Sequence, residues 1–134
     1  MATIGDVEGI DPKSATRLRK AGVRTTEGLI KVAATAKGRK ALAVKTEISA
    51  STLLGWVNRA DLMRIKGVGA EYADLLETAG CDTVKELRRR NPTNLTAAMV
   101  EINEKKRLVR RLPTEAMVIA WVEQAKSMNS SVKH

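Results

Sequence analysis

The 134-residue sequence has few of the side chains on which most enzymes and cross-linked proteins depend. Its single cysteine, Cys81, excludes an internal disulfide and any multi-cysteine zinc site. The only histidine is the terminal His134, and no carboxylates have the spacing of a metal or nuclease site. We therefore expect neither catalysis nor a resident cofactor.

Aromatic residues and long apolar runs are equally scarce. Phe is absent and aromatic residues make up 2%, so a hydrophobic content of 43% predicts an aliphatic core. The chain has no apolar run of 18 residues and no basic-then-apolar start, which predicts a cytoplasmic protein without membrane contact. The length predicts one compact domain, 1–134.

What the chain has in excess is positive charge. Twenty-four Lys and Arg against fifteen Asp and Glu give a net charge of +9. A chain this basic is expected to meet a polyanion, nucleic acid ahead of an anionic membrane. An excess of Lys and Arg that serves solubility alone is the alternative.

A glycine turn at Gly67–Gly69 is the sharpest local motif. Gly67, Val68 and Gly69 follow a short apolar run and precede a helical pattern in which Tyr72, Leu75, Leu76 and Ala79 share one face. Two glycines permit a tight, partly left-handed turn and leave the first N–H groups of the helix uncovered. Such N–H groups bind anions, and phosphate is the obvious candidate.

The turn resembles the hairpin of helix-hairpin-helix proteins, in which Gly-aliphatic-Gly precedes a helix with Ala four positions on, here Ala73. Arg64 and Lys66 flank Gly67, so we expect cations and bare N–H groups to converge on one phosphate. Two glycines that merely let helices pack closely are the alternative. The resemblance also suggests a monovalent cation held by carbonyl groups of the hairpin.

The chain repeats itself, in an order that chance does not readily explain. Residues of 4–60 recur in 62–128 at a constant offset: Gly9/Gly67, Ala15/Ala73, Leu18/Leu76, Ala21/Ala79, Gly22/Gly80, Thr25/Thr83 and Leu29/Leu87. Trp56 recurs as Trp121 at a slightly larger offset. The sequence therefore predicts an all-α fold made of one helical unit present twice.

Helix signals agree in the two repeats. The predicted caps are Asp11, Thr25, Ser49, Thr83 and Thr114, which open helices 12–21, 26–36, 50–60, 84–90 and 115–128. Pro92 and Pro113 are predicted to break helices, and 129–134 to be a frayed polar tail. Trp56 and Trp121 lie on apolar helix faces, which favours core packing over base stacking.

The first hairpin, Gly9-Ile10-Asp11, departs from the pattern. Asp11 replaces the second glycine, and Pro12 removes an N–H donor. A carboxylate there would fill the anion site and repel phosphate, so we interpret this hairpin as mainly structural. Paired helix-hairpin-helix units grip both strands of a duplex, and the change weakens that expectation.

Clusters of basic residues supply the remaining candidates for phosphate contacts. Such clusters give salt-sensitive, sequence-independent affinity, and a solvated basic face is the alternative for each. They are Arg88, Arg89 and Arg90; Lys105, Lys106, Arg107, Arg110 and Arg111; and Lys37, Arg39 and Lys40. Glu101 and Lys105 form an i,i+4 pair that balances part of this charge.

A different nucleic-acid motif is present in the first repeat. The stretch 41–53 resembles a repressor-type helix-turn-helix with a reading helix from Ala50, but Glu47 stands where Gly is usual in the turn. Because the repeat places Trp56 in the supposed reading helix, packing explains the stretch better than base recognition does.

Across most of its length the chain resembles a bacterial family of unknown function related to helix-hairpin-helix proteins. The resemblance is carried by 53–62, 63–69, 71–73, 79–80, 82–87 and 90–92. It implies a tandem helix-hairpin-helix fold of the SAM/HhH kind. It implies little about activity, because the family has no assigned biochemical role.

We expect non-catalytic, largely sequence-independent binding of nucleic acid, DNA over RNA, through backbone phosphates. Duplex is expected ahead of single strands, because few aromatic residues are free to stack on bases. The alternative is a protein-interaction or oligomerisation module that binds no nucleic acid.

Overall fold

A computed structural model describes residues 2–129 and 131–133, and over these residues the protein is all-α without strands. A short 3-10 turn, Ile4–Asp6, precedes eight α-helices. They are α1 (Pro12–Lys20), α2 (Thr26–Ala33), α3 (Ala36–Thr46), α4 (Ala50–Leu62), α5 (Ala70–Thr78), α6 (Val84–Leu87), α7 (Pro92–Lys106) and α8 (Glu115–Lys126). None of the helices in the described residues is long and apolar enough to cross a membrane.

The chain divides into two compact units between Asp61 and Leu62. Unit 1 comprises Met1–Asp61 together with Ser131–His134, and unit 2 comprises Leu62–Ser130. The division falls between the ranges 4–60 and 62–128 that the sequence pairs as repeats.

Unit 1 is built on α3, against which α1 and α2 pack. Its buried apolar side chains are aliphatic apart from Trp56, as the composition predicts, and include Leu18, Leu29, Leu42, Leu53 and Val57. Burial of this apolar surface provides the main favourable free energy of folding.

Unit 2 is built on α7 and α8, which pack on each other and carry α5 and α6 respectively. Its core joins both ends of the unit in sequence and includes Leu62, Ile65, Leu75, Leu76, Leu87, Leu95, Met99, Val118 and Trp121. Trp56 and Trp121 are 7% and 3% exposed, so both are core residues as predicted.

Every predicted cap accepts a hydrogen bond at the start of its helix. Asp11, Thr25 and Thr83 accept from the backbone N–H groups of Ser14, Gly28 and Glu86. Ser49 and Thr114 do the same for α4 and α8, accepting from Thr52 and Met117. Such caps satisfy N–H groups that have no partner within the helix.

Two of the predicted helices end three residues earlier than expected. The helix predicted over 26–36 stops at Ala33, because Thr35 has an extended backbone and is the N-cap of the next helix, α3. The helix predicted over 84–90 stops at Leu87. Pro92 is the first residue of α7, capped by Asn91, so it separates two helices by opening the second.

The prediction of a frayed tail is wrong for the described part of 129–134. Val132 is 7% exposed, and the N–H of Lys133 donates to the carbonyl oxygen of Ala34 at 2.8 Å. Ser130 and His134 lie outside the described residues.

Candidate functional site

The second hairpin contains one left-handed glycine. Gly67 has φ +95°, a conformation that favours glycine, whereas Gly69 is extended with φ −92° and is the N-cap of α5. Between them Val68 is buried and its N–H donates to the carbonyl oxygen of Ile65 at 3.1 Å. The turn is as tight as predicted, but only Gly67 uses the left-handed region.

Trp121 packs beneath this turn. Its indole Nε1 lies 3.2 Å from the position that a Cβ on Gly67 would occupy. Its ring also contacts the ring of Tyr72, with centroids 5.3 Å apart and planes tilted by 50°. Glycine is therefore needed at position 67 both for its backbone angle and for the close approach of the indole.

The amino end of α5 opens into a cavity of about 360 Å³. The N–H groups of the first turn have no partner within the helix, and Gly69 has no side chain that could accept from them. The cavity is lined by Gly67, Gly69, Ala70, Glu71, Tyr72, Arg110 and Arg111. Uncapped N–H groups at the positive end of a helix and two guanidinium side chains therefore border one space.

Two side chains hold the loop that carries these arginines. Asn103 exchanges hydrogen bonds with the backbone of Val109, accepting at 3.0 Å and donating at 3.1 Å. The hydroxyl of Tyr72 donates to the carbonyl oxygen of Arg111 at 2.9 Å. The loop is thus fixed both to α7 and to the hairpin, which keeps Arg110 and Arg111 at the cavity.

One acidic side chain lines the same cavity. Glu71 is exposed and belongs to the first turn of α5. A carboxylate near a helix amino end is favourable for the helix, but it repels a second anion. The cavity is therefore lined by two positively charged arginines and one negatively charged glutamate.

The cations predicted beside Gly67 do not line this cavity. Arg64 donates from Nη1 to the carbonyl oxygen of Asn129 at 3.1 Å. Lys66 is exposed, and its backbone N–H donates to Oε1 of Gln124 at 2.8 Å. Both residues connect the hairpin to the carboxyl-terminal part of unit 2, and Arg110 and Arg111 take the places at the cavity.

The cluster Arg88–Arg90 lies toward the opposite end of α5. Arg90 donates from Nη2 to the carbonyl oxygen of Ala79, the C-cap of α5, at 3.4 Å, and lies 3.9 Å from a carboxylate oxygen of Glu86. A nine-residue helix is about 13 Å long, so Arg90 is separated from the cavity by the length of α5. Arg88 has a buried Nε without a partner among the described residues, and Arg89 is exposed.

The remaining predicted cations stand at the end of α7. Lys105 and Lys106 are exposed in its last turn, and Lys105 pairs with Glu101 at 3.7 Å as predicted. Arg107 is the C-cap in the left-handed region, with φ +49°. It borders a second cavity of about 570 Å³, which Arg110 also lines together with Val100, Asn103, Glu104, Val109 and Leu112.

The first hairpin is closed by its own carboxylate. Asp11 accepts from the N–H of Ser14 at 2.8 Å, and hydrogen bonds from the Ser14 side chain and backbone lower the pKa of Asp11. Gly9 has φ +93°, and Nε1 of Trp56 lies 3.3 Å from the position of its Cβ. The turn and the tryptophan match those of unit 2, but the amino end of α1 is occupied by a negative charge.

The stretch 41–53 contains the end of α3, a turn and the start of α4, but α4, the supposed reading helix, is largely buried. Glu47 ends α3 in the left-handed region, with φ +62°. Leu53, Trp56, Val57 and Asn58 are each at most 7% exposed, and Ser51 and Thr52 are the exposed residues of α4. Few side chains of α4 are therefore available to contact bases.

Cys81 is fully buried, and this burial raises the pKa of its thiol to about 12. Within 2–129 and 131–133, no group of three or more His, Cys, Asp and Glu gathers to hold a metal ion. His134 lies outside the described residues.

The protein is thus all-helical over the described residues and consists of two units, the second of which has a basic cavity at its Gly-Val-Gly turn. A family model with the description "Domain of unknown function (DUF4332)" matches residues 8–128, and the chain belongs to this family. Comparisons with curated proteins and with solved structures find no match.

Proposed function

We propose that this protein binds nucleic acid, duplex DNA above all, through backbone phosphates and without catalysis. The observation that carries the proposal is the shared cavity of the uncapped α5 amino end, Arg110 and Arg111. Backbone N–H groups and guanidinium groups are the donors that phosphate oxygens accept most strongly. The net charge of +9 supports a polyanion as the partner.

Phosphate contacts carry no sequence information, so the binding is largely independent of base sequence. Lys105, Lys106 and Arg107 are exposed near the same loop and extend the positive surface along a phosphate backbone. We assign Arg64, Arg88 and Arg90 a smaller share, because Arg64 and Arg90 bond to backbone carbonyl groups and Nε of Arg88 is buried.

We further propose that the two units are copies of one helix-hairpin-helix-like unit. Gly9 and Gly67 have nearly equal positive φ angles, and each lies against a tryptophan indole. The copies differ at the helix start, where unit 1 has Asp11 and unit 2 has Gly69. In this proposal only the second hairpin binds the DNA backbone.

A polarisation titration with a short labelled duplex, at about 50 and about 200 mM salt, tests the binding. Replacing Arg110 and Arg111 with Gln should weaken binding and lower the slope of log affinity against log salt by about 1–2. Replacing Lys31 and Lys45 with Gln is the matched control, because both are exposed lysines of unit 1 and the charge lost is the same. Absence of binding at low salt, or equal losses in the two double variants, would refute the proposal.

Glu71 provides a test of opposite sign. Glu71→Gln removes the one carboxylate that lines the cavity, so phosphate affinity should rise while the hairpin keeps its shape. An unchanged affinity would place the bound phosphate elsewhere on the surface.

The alternative function is a protein-interaction module, and acidic residues at both hairpins favour it. Asp11 caps the first hairpin and Glu71 lines the cavity of the second, and both would oppose a polyanion. Val44, 83% exposed on α3, offers an apolar contact. Light scattering after nuclease treatment separates the two functions, since an assembly that persists without nucleic acid supports the interaction module.

A further inference from the structure

A buried arginine joins α2, α3 and the C-terminal segment in unit 1. Arg39 is 4% exposed, and its Nη1 donates to the carbonyl oxygens of Ala33 and Ala34, each at 3.0 Å. Its Nη2 donates to the carbonyl oxygen of Lys133 at 2.8 Å. The sequence analysis groups Arg39 with Lys37 and Lys40 as candidates for phosphate contacts, but only the two lysines are exposed.

Lys133 is held through its main chain. Its carbonyl oxygen accepts from Arg39, and its N–H donates to the carbonyl oxygen of Ala34 at 2.8 Å. The side chain of Lys133 is exposed, whereas Val132 beside it is 7% exposed. Main-chain bonds at one residue and a buried apolar side chain at its neighbour are the features by which proteins bind extended peptides.

The buried guanidinium of Arg39 needs an acceptor from residues 131–133. Among the described residues its three acceptors are carbonyl oxygens, of which Ala33 and Ala34 belong to the negative end of α2. The third acceptor comes from the C-terminal segment. Without that segment Nη2 would lose its partner in a mostly buried position, which is unfavourable.

We propose that the α2–α3 junction is a binding site for an extended peptide, and that residues 131–133 of the same chain occupy it. Arg39 and the carbonyl oxygen of Ala34 bind the peptide backbone, and the position of Val132 selects a small apolar side chain. The position of Lys133 accepts any residue except proline, because its side chain is exposed and its N–H donates to the site. This site is independent of the nucleic-acid proposal, since Arg39 is turned inward.

Amide hydrogen exchange of the full-length chain tests the site directly. The N–H of Lys133 should be protected in the wild-type protein, and protection should fall about tenfold or more in Val132→Asp and in Arg39→Lys. Lys133→Ala is the matched control: it changes the exposed side chain, keeps both main-chain bonds and should retain protection. Equal protection in Val132→Asp and Lys133→Ala would overturn the proposal.

A peptide in trans tests whether the site binds a separate ligand. A chain that ends at Asn129 should unfold at a lower temperature, and a synthetic peptide of residues 128–134 should raise the midpoint again. The interface is small, so we expect a dissociation constant on the order of 0.1–1 mM. The same peptide with Val132→Asp should have no effect, and equal effects of the two peptides would refute recognition of the apolar side chain.

Two further outcomes are informative. If the shortened chain does not fold, the exchange experiment on the full-length variants still decides the question. A dimer of the full-length chain that Val132→Asp dissolves would overturn occupancy by the same chain and identify a second copy as the donor of the segment.

Discussion

The hydroxyl of Tyr72 donates a hydrogen bond to the main-chain oxygen of Arg111, 2.9 Å away. Tyr72 belongs to the first turn of α5, and Arg111 to the loop between α7 and α8. The ring of Tyr72 also contacts the ring of Trp121, which packs against Gly67. Tyr72 therefore contacts or connects all three parts of the cavity: the glycine turn, the start of α5 and the loop that carries Arg111.

Tyr72→Phe isolates that relationship, because it keeps the ring contact with Trp121 and removes the hydrogen bond. We expect a loss of about 0.5–1.5 kcal/mol in the free energy of unfolding, measured by urea denaturation. If phosphate binds in the cavity, duplex affinity should also fall, since Arg111 is no longer held beside α5. A variant with wild-type affinity and lowered stability would show that the hydroxyl serves the fold alone.

The two glycines of the turn should differ in their tolerance of alanine. Gly67→Ala forces a Cβ into the left-handed region at 3.2 Å from the indole nitrogen of Trp121, so we expect a loss of about 1–3 kcal/mol. Gly69 is extended, and a Cβ there would meet nothing within 4 Å, so Gly69→Ala should change stability by about 0.5 kcal/mol at most. Thermal unfolding of the two variants measures the difference, and equal losses would contradict the assigned conformations.

Asp11 should make the stability of unit 1 depend on pH in the acidic range. Its hydrogen bonds with Ser14 lower the pKa of the carboxyl in the folded state below its ordinary value. A lowered pKa means that the contribution is complete above the unfolded value and disappears as the pH falls through the folded value. The unfolding midpoints of wild type and Asp11→Ala should therefore differ at pH 7 and converge toward pH 2.

Asp11→Asn serves as the control for that experiment, since Asn also caps helices but does not titrate. It should remain more stable than Asp11→Ala at every pH in the range. A constant gap between wild type and Asp11→Ala down to low pH would contradict the ionised cap.

Local signals in the sequence predicted five helix starts correctly and missed those of α3 and α7. Each of Asp11, Thr25, Ser49, Thr83 and Thr114 caps its helix, because a cap needs only its own side chain and an N–H three residues on. The end of α2 was harder to predict. It depends on Arg39 taking the carbonyl groups of Ala33 and Ala34, and the place of Arg39 also depends on the distant C-terminal segment.

The cavity shows the same limit of local signals. Gly67–Gly69 and the basic residues were recognisable, and the glycine turn with the helix that follows it is present in the structure. The partners of the hairpin were predicted from adjacency in sequence, as Arg64 and Lys66. The structure places Arg110 and Arg111 there instead, through a bond from Tyr72 to a residue 39 positions away. A contact between residues so far apart produces no recognisable pattern in the sequence around either of them.

Arg107 offers a way to separate stability from binding. Arg107 and Glu47 are the non-glycine residues with positive φ in the described part of the chain, and each ends a helix. Glycine adopts this conformation without the steric cost that Cβ imposes, so Glu47→Gly and Arg107→Gly should each stabilise the protein by up to about 1 kcal/mol. Urea denaturation of both variants measures this gain.

The two variants should then differ in their affinity for a polyanion. Arg107→Gly removes a cation from the end of α7, next to the loop of Arg110 and Arg111, so its duplex affinity should fall while its stability rises. Glu47→Gly removes a negative charge from unit 1, and its affinity should be unchanged or slightly higher. If Arg107→Gly bound the duplex as tightly as wild type, the end of α7 would lie outside the binding surface, and the contacts would be confined to the cavity at α5.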